Sequence, residues 1–297
     1  MARSVVVSAP VLFGTHESRL GESPVWDAGN QRLLWADINA GEILAVDSDG
    51  ALLKRWRVPD KVPSFGLCTS GRWVVSVGRA VQLFDPKSER LELLAEPGPE
   101  PATSRLNDGK VGPDGAFWVG SMDERPEKQP IGVLYRVTAD GKAEKKVGGL
   151  LTPNGLAWSA DGRTMFHSDS RGRWVDAYDF DAASGAMRNR RRIVEGITEE
   201  QGRPDGGACD VEGCYWSAGV SAQCLHRFNG TGELLETVEM PMPGCTMPCF
   251  GGPDLKTLYV TSLSEGLKGD YAQHPNAGRL AVLQVSVAGA PVGKFRD

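Results

Sequence analysis

The sequence predicts an all-β protein, a six-bladed β-propeller with four-stranded antiparallel blades, and three observations lead there. An aromatic- or β-branched-rich strand recurs six times, and its markers Trp35, Val75, Trp118, Phe166, Trp216 and Tyr259 are 40, 43, 48, 50 and 43 residues apart. Strand repeats of ~40–50 residues are the signature of propeller blades. Turn dipeptides stand between the strands: Asp49-Gly50, Ser70-Gly71, Asp114-Gly115, Asp140-Gly141, Asp161-Gly162 and Asn229-Gly230. No amphipathic helix of useful length is present, and 37 glycines and 19 prolines are spread throughout, which suits many tight turns.

Taken in order, the chain opens with a strand over 5–13, interrupted by Ser8 and Pro10 and without a signal-peptide layout. The marker strands follow at 31–37, 71–76, 115–120, 162–167, 213–218 and 256–261. A second strand follows each, at 41–47, 80–85, 132–137, 174–180, 223–228 and 278–285, several alternating apolar and polar residues as half-buried strands do. The short basic run 188–192 after Gly185 reads as a solvated hairpin turn, and 263–277 as a long surface loop inside the last blade. The repeat runs from end to end, so a single domain over 1–297 is expected.

Bulk properties exclude some classes. Hydrophobic content of 40% and charged content of 24% are those of a soluble globular protein. A net charge of −5 argues against nucleic acid, whose binders carry basic patches. No apolar run reaches the ~20 residues that span a bilayer, so no membrane partner is expected. The six cysteines, Cys68, Cys209, Cys214, Cys224, Cys245 and Cys249, form no C-x-x-C pair and read as free thiols in a reducing cytoplasm. The expected assembly is a monomer or small homo-oligomer.

Four polar residues keep one phase against the markers. Glu22, Asn107, Asn154 and Asp205 lie 13, 11, 12 and 11 residues before theirs, each beside Gly or Pro and just before an inner strand. Equivalent positions of different blades meet around one axis, so these oxygens converge. Two carboxylates and two carboxamides make a hard, all-oxygen site for a divalent cation. Such an ion polarises a carbonyl and acidifies a bound water. Any one of these residues alone would read as a turn residue; the shared phase is what selects them. His16, His167, His226 and His274 have no metal-ligand spacing, no G-x-S-x-G elbow exists, and the paired glycines make no nucleotide fingerprint.

The segments Gly21-Glu22-Ser23-Pro24-Val25-Trp26, Arg105-Leu106-Asn107-Asp108-Gly109-Lys110, Pro153-Asn154-Gly155-Leu156 and Pro204-Asp205-Gly206 resemble the SMP-30/gluconolactonase/regucalcin-like family, in order and over 16–285. The stretch 248–259 looks like the bacterial sugar lactonases of that family, pentonolactonases included. The resemblance implies one divalent metal at the mouth of the channel, held by Glu22, Asn154 and Asp205. Calcium, zinc, manganese, magnesium and iron(II) all suit such ligands. It places Arg105 and Asn107 against the substrate. Family members carry an acidic substrate contact shortly after the Met of the third repeat. Here Arg125 aligns with it in Met122-Asp123-Glu124-Arg125, so Asp123 or Glu124 is expected to substitute. The activity implied is hydrolysis of a small-molecule sugar-acid lactone, with Asp205 as the base. A carboxylate of ordinary pKa ~3.9 is ionised at neutral pH. A non-sugar esterase or phosphotriesterase on the same metal, and a non-enzymatic calcium-binding propeller, are the alternatives.

Overall fold

Residues 4–98 and 102–297 are described by the computed structural model. Each repeat folds into one four-stranded antiparallel blade, and six blades close into a propeller. The first is Gly21–Asp27, Arg32–Asp37, Glu42–Val46 and Leu52–Arg57; the second is Phe65–Leu67, Trp73–Val77, Ala80–Asp85 and Arg90–Ala95. The third is Ser104–Val111, Phe117–Asp123, Gly132–Val137 and Ala143–Leu150; the fourth is Pro153–Trp158, Thr164–Asp169, Trp174–Asp181 and Ala186–Glu195. The fifth is Pro204–Cys209, Tyr215–Gly219, Cys224–Phe228 and Leu234–Glu239. The sixth combines Cys245–Gly251, Thr257–Ser262 and Arg279–Gln284 with the N-terminal strand Val11–Glu17, which pairs Leu12 with Ala281. The ring is thus closed by joining the two ends of the chain. The opening strand lies later than 5–13, although Val6 still bridges Val285.

The marker residues explain the packing. Trp35, Trp118, Phe166, Trp216 and Tyr259 are buried between neighbouring blades. Six apolar clusters fill the gaps, such as Trp56, Phe65 and Trp73 between blades one and two, and Trp118, Trp158 and Phe180 between three and four. Each such side chain stabilises by about 1.5–3 kcal/mol on burial.

The marker strands are the second of each blade, not the innermost. The innermost strands are those carrying the polar motifs, whose neighbours touch around the axis. Side chains lace them together: Ser23 Oγ to Pro63 O (3.4 Å), Ser64 Oγ to Asn107 O (2.8 Å), Asn107 Nδ2 to Pro153 O (3.0 Å) and Ser170 Oγ to Pro204 O (2.6 Å). The motif residues sit near the start of these strands and so share one face of the ring. The strand ends face the other side, where the C-terminal tail crosses them: Ala290 N donates to Cys209 O, Phe295 N to Leu67 O and Arg296 N to Gly115 O.

The basic run 188–192 is not a turn. It lies in the outer strand Ala186–Glu195, where Arg190 and Arg192 both pair with buried Asp176 and sit over the Trp174 ring. A period of two on one face is what a strand imposes. Among the described residues the one helical element is the 3-10 turn Gly269–Tyr271, within the predicted 263–277 loop. No helix is long and apolar enough to cross a membrane, and all six cysteines are free and buried.

Candidate metal and substrate site at the channel mouth

Glu22, Asn107, Asn154 and Asp205 are 4–9% exposed and belong to blades one, three, four and five. In each of these strands the ladder register slips at or beside the polar residue: Glu22/Val25, Leu106/Gly109, Asn154/Ala157 and Pro204/Gly207. Such irregularities re-aim side chains, here toward the axis. Glycine at 155 is required twice over. Its φ is +68°, and a Cβ would collide with Tyr215 Oη and Ser168 Oγ. Ser23, at φ 48°, turns its amide onto Glu22 Oε2 at 3.0 Å.

A chain of hydrogen bonds orders the mouth. Arg105 donates to Asn107 Oδ1 (2.8 Å), Asn107 Nδ2 to Asn154 Oδ1 (3.2 Å), and Asn154 Nδ2 to Ser170 Oγ (2.7 Å). The Ser170 hydroxyl in turn lies 3.3 Å from Asp205 Oδ1. Ser170 was absent from the sequence expectation; the signal for it is its place just past the fourth marker strand, in which Ser168 pairs opposite Asn154. Deeper in the channel, Lys110 Nζ donates to Gly207 O at 2.6 Å. Asp108 Oδ2 accepts from Leu156 N at 3.2 Å, and its buried Oδ1 has no hydrogen-bond partner among the described residues.

The electrostatics differ from those of isolated carboxylates. Burial, then the charges of Asp205 and Asp108, raise the Glu22 pKa. Burial pushes Asp205 up to about 7, against the pull of Arg203 and the hydrogen bonds from Ser170 and Asn154. Burial likewise raises Asp108 and lowers Lys110. Three buried carboxylates, Glu22, Asp108 and Asp205, face one ammonium, Lys110, because the nearby guanidiniums of Arg105 and Arg203 are matched by Glu124 and Glu199. Ionised, they leave two negative charges uncompensated, a large cost in a dry channel. A divalent cation matches that deficit, and carboxylate and carboxamide oxygens are its preferred donors. The residues therefore fit the ion.

The structure separates the two acidic neighbours of Arg125. The Asp123 carboxylate is covered by its own loop, accepting from Arg125 Nη2 (2.8 Å), Arg125 N (3.1 Å) and Gln129 N (3.0 Å). The hydrogen bonds from Arg125 hold its pKa well below the usual carboxylate range. It stands opposite the start of its inner strand as Asp37 and Asp169 do, which bind loop amides. Glu124 points the other way, toward Arg105 Nε (3.3 Å) and Lys61 Nζ (2.6 Å). The mouth thus unites Glu22, Asn107, Asn154, Asp205, Arg105 and Glu124, while Asp123 is turned into its loop.

Away from the mouth, Asp210, Glu212 and Cys214 are the one trio of His, Cys, Asp or Glu among the described residues whose ligand atoms all lie within 4.8 Å of one another. Its capacity is already used. Asp210 accepts from Glu212 N, Cys214 N, Trp216 Nε1 and Arg227 Nε, and Arg227 also binds Glu212. We read it as a closed turn on the tail side of the ring.

The family model described as SMP-30/gluconolactonase/LRE-like region matches residues 20–264. The chain belongs to this family. It is 36% identical to a 6-deoxy-6-sulfogluconolactonase of Pseudomonas putida over 273 residues, covering 92% of this chain and 93% of that protein. It is 34% identical to regucalcin of Gallus gallus over 289 residues, 95% and 96% of the two chains. Among solved structures, regucalcin of Agrobacterium tumefaciens, described as a calcium-binding protein, superposes with a TM-score of 0.89 at 27% identity and 98% coverage of both chains.

Proposed function

We propose that the protein hydrolyses the cyclic ester of a sugar acid, an aldono-1,4- or 1,5-lactone, to the free aldonic acid, with one divalent cation as cofactor. The observation that carries this reading is the convergence of Glu22, Asn154 and Asp205 at a mouth short of two positive charges, in a family with lactonase members. Glu22, Asn154 and Asp205 would hold the ion. When bound, a divalent cation polarises an ester carbonyl and acidifies water.

The chain's own residues supply the rest. Asp205 takes a proton from the attacking water and returns it to the ring oxygen as the C–O bond breaks. Beside a divalent cation its carboxylate would stay ionised and free to accept that proton. Ser170 and Asn154 fix the carboxylate's orientation. Arg105 donates from its remaining Nη2 to the lactone and hydroxyl oxygens, its fork held in plane by Glu124 at Nε and by Asn107 and Leu106 O at Nη1. Asn107 orients the ester. Glu124 is our acidic contact for sugar hydroxyls, and Asp123 holds the loop that presents it. The free buried thiols support a reducing cytoplasm as the compartment.

The test is proton release from glucono-1,5-lactone by wild-type protein, with and without chelator, beside Asp205→Ala and Glu22→Gln. Both variants should lose metal affinity and nearly all turnover. Wild-type rates from Asp205→Ala at sub-saturating metal would refute its role. Cation binding without turnover of any lactone would instead favour a calcium-binding protein.

A further inference from the structure

Beside the mouth lies a cavity of about 710 Å3, lined on the site's side by Arg171 and Arg203 and on the other by Ser221, Leu263, Lys268 and Tyr271. Arg171 directly follows Ser170, the residue that touches Asp205. Its backbone is pinned, because Arg171 N and Gly172 N both donate to Asp169 Oδ1. Its guanidinium is exposed and has no hydrogen-bond or ion-pair partner among the described residues.

Two further cations flank it. Lys128, on the third blade just outside the cavity lining, is close enough to feel the Arg171 charge; its ammonium donates to Asp123 O at 2.6 Å and has no carboxylate at ion-pair distance among the described residues. Burial, then the charges of Arg105 and Arg171, pull it down to about 8. Arg203 spends its Nη1 on Glu199, which is also held by Arg173, while its buried Nε has no hydrogen-bond partner among the described residues. Glu199 and Glu200 also line the cavity, so the carboxylates here are not absent; among the described residues they leave Arg171, Lys128 and, on the far wall, Lys268 without an ion pair. A protein of net charge −5 has no general surplus of cations to explain this rim. Like charges held together oppose folding, and a bound anion relieves them.

We propose that Arg171, with Lys128 and the free Nε of Arg203, forms an anion subsite, and that the substrate is a sugar lactone bearing an oxyanion group, a sulfonate, phosphate or carboxylate, at its end remote from the ester. This rests on the lactonase reading for the ring end of the substrate, but the anion subsite itself is tested by binding alone. The rim suits that end of the molecule: the anion sits on guanidinium and ammonium groups, away from the carboxylates of the channel. Arginine's planar fork matches all three oxyanions.

The test uses calorimetry on Ca2+-supplemented protein with the open acids gluconate and 6-phosphogluconate, followed by glucarate and 6-deoxy-6-sulfogluconate to rank the oxyanions. Wild-type protein should bind at least one anion-bearing acid about 10-fold or more tightly than gluconate, the value of a charged hydrogen bond. That ratio should shrink at high salt and collapse toward unity in Arg171→Gln, with Lys128→Gln giving a partial loss. Equal binding of all four acids by wild type, or a preference that survives both substitutions, overturns the subsite. Rates on the neutral and 6-phosphorylated 1,5-lactones separate the two readings. Turnover of both without a charge preference sinks the subsite alone, while a charge preference in binding without any turnover sinks the lactonase reading alone.

Discussion

Ser170→Ala isolates the positioning of the metal ligands from the ligands themselves. Ser170 is 4% exposed, and its hydroxyl accepts from Asn154 Nδ2 at 2.7 Å while facing Pro204 O at 2.6 Å and Asp205 Oδ1 at 3.3 Å. Removing the oxygen strands a buried amide donor and frees the carboxamide to rotate. An unsatisfied buried donor costs about 1–3 kcal/mol, a factor of roughly 5–150. Loss of a residue that orients a metal ligand costs about 10–100-fold in metal affinity. The two ranges overlap, so a drop of one to two decades in cation affinity is expected, with turnover falling in parallel and recovering at saturating metal. Ser168→Ala is the control: its hydroxyl touches only the Asp205 main chain among these groups, at 3.3 Å. Calcium and manganese titrations of stripped protein, alongside melting curves, provide the readout. If Ser170→Ala melts earlier but binds metal as wild type does, the hydroxyl is a fold contact and the proposed orientation of Asn154 and Asp205 is wrong.

Three further outcomes are expected. Arg105→Lys keeps the charge but loses the fork, so kcat/KM should fall by roughly 10- to 150-fold while metal affinity stays put; unchanged kcat/KM with a lowered Tm would remove Arg105 from the site. His167 is fully buried, neither ring nitrogen has a hydrogen-bond partner among the described residues, and burial, with Arg190 nearby, lowers its pKa to about 3. The unfolded chain therefore takes up the proton first, and stability is lost as pH falls below about 6.5, by about 2 kcal/mol at pH 5; urea unfolding should show a shallower loss in His167→Leu, and an identical pH slope would contradict this. Phe295 carries the C-terminal tail into the core between blades two and three, so Phe295→Ala should cost about 3–5 kcal/mol, and a loss below about 1 kcal/mol would show that the tail merely rests on the ring.

The propeller was legible because its marker residues do one job six times. Trp35, Trp118 and Trp216 must all fill the wedge between blades, so the chain repeats a bulky residue at blade spacing. The polar phase was legible for the same reason: four blades place a donor at the start of the inner strand. Which strand is innermost was not legible, since every strand of a blade alternates alike and only contacts between blades distinguish the one at the axis. Ser170 was hidden because its partners are 16 and 35 residues away in other strands. Asp123 and Glu124 were inseparable in the sequence because Asp123 ends its strand and Glu124 begins the loop beyond it, so a one-residue ambiguity in alignment exchanges two side chains that face different ways. Arg188 to Arg192 looked like a turn because the sequence does not reveal Asp176, the buried carboxylate that two of those arginines neutralise.

The ladder slips in the inner strands connect this architecture to its charge. In a regular strand Asn107 and Asp108 would face opposite sides. Here both reach the first strand of blade four, Asn107 at Pro153 O and Asn154 Oδ1, and Asp108 at Leu156 N. The slip between Leu106 and Gly109 permits it, and Gly109 leaves no room for a side chain, since a Cβ would lie 2.7 Å from Ser64 Oγ and 2.9 Å from Trp118 O. One strand therefore delivers two successive polar groups to the axis, one level with Asn154 and one a step below. The lower carboxylate, with Lys110, fixes the field under the mouth, and the upper carboxamide holds Asn154 in place. The motif Asn107-Asp108-Gly109-Lys110 is thus a single device: its glycine fits where a side chain would not, and the irregularity puts two successive polar groups where a regular β-strand would give only one.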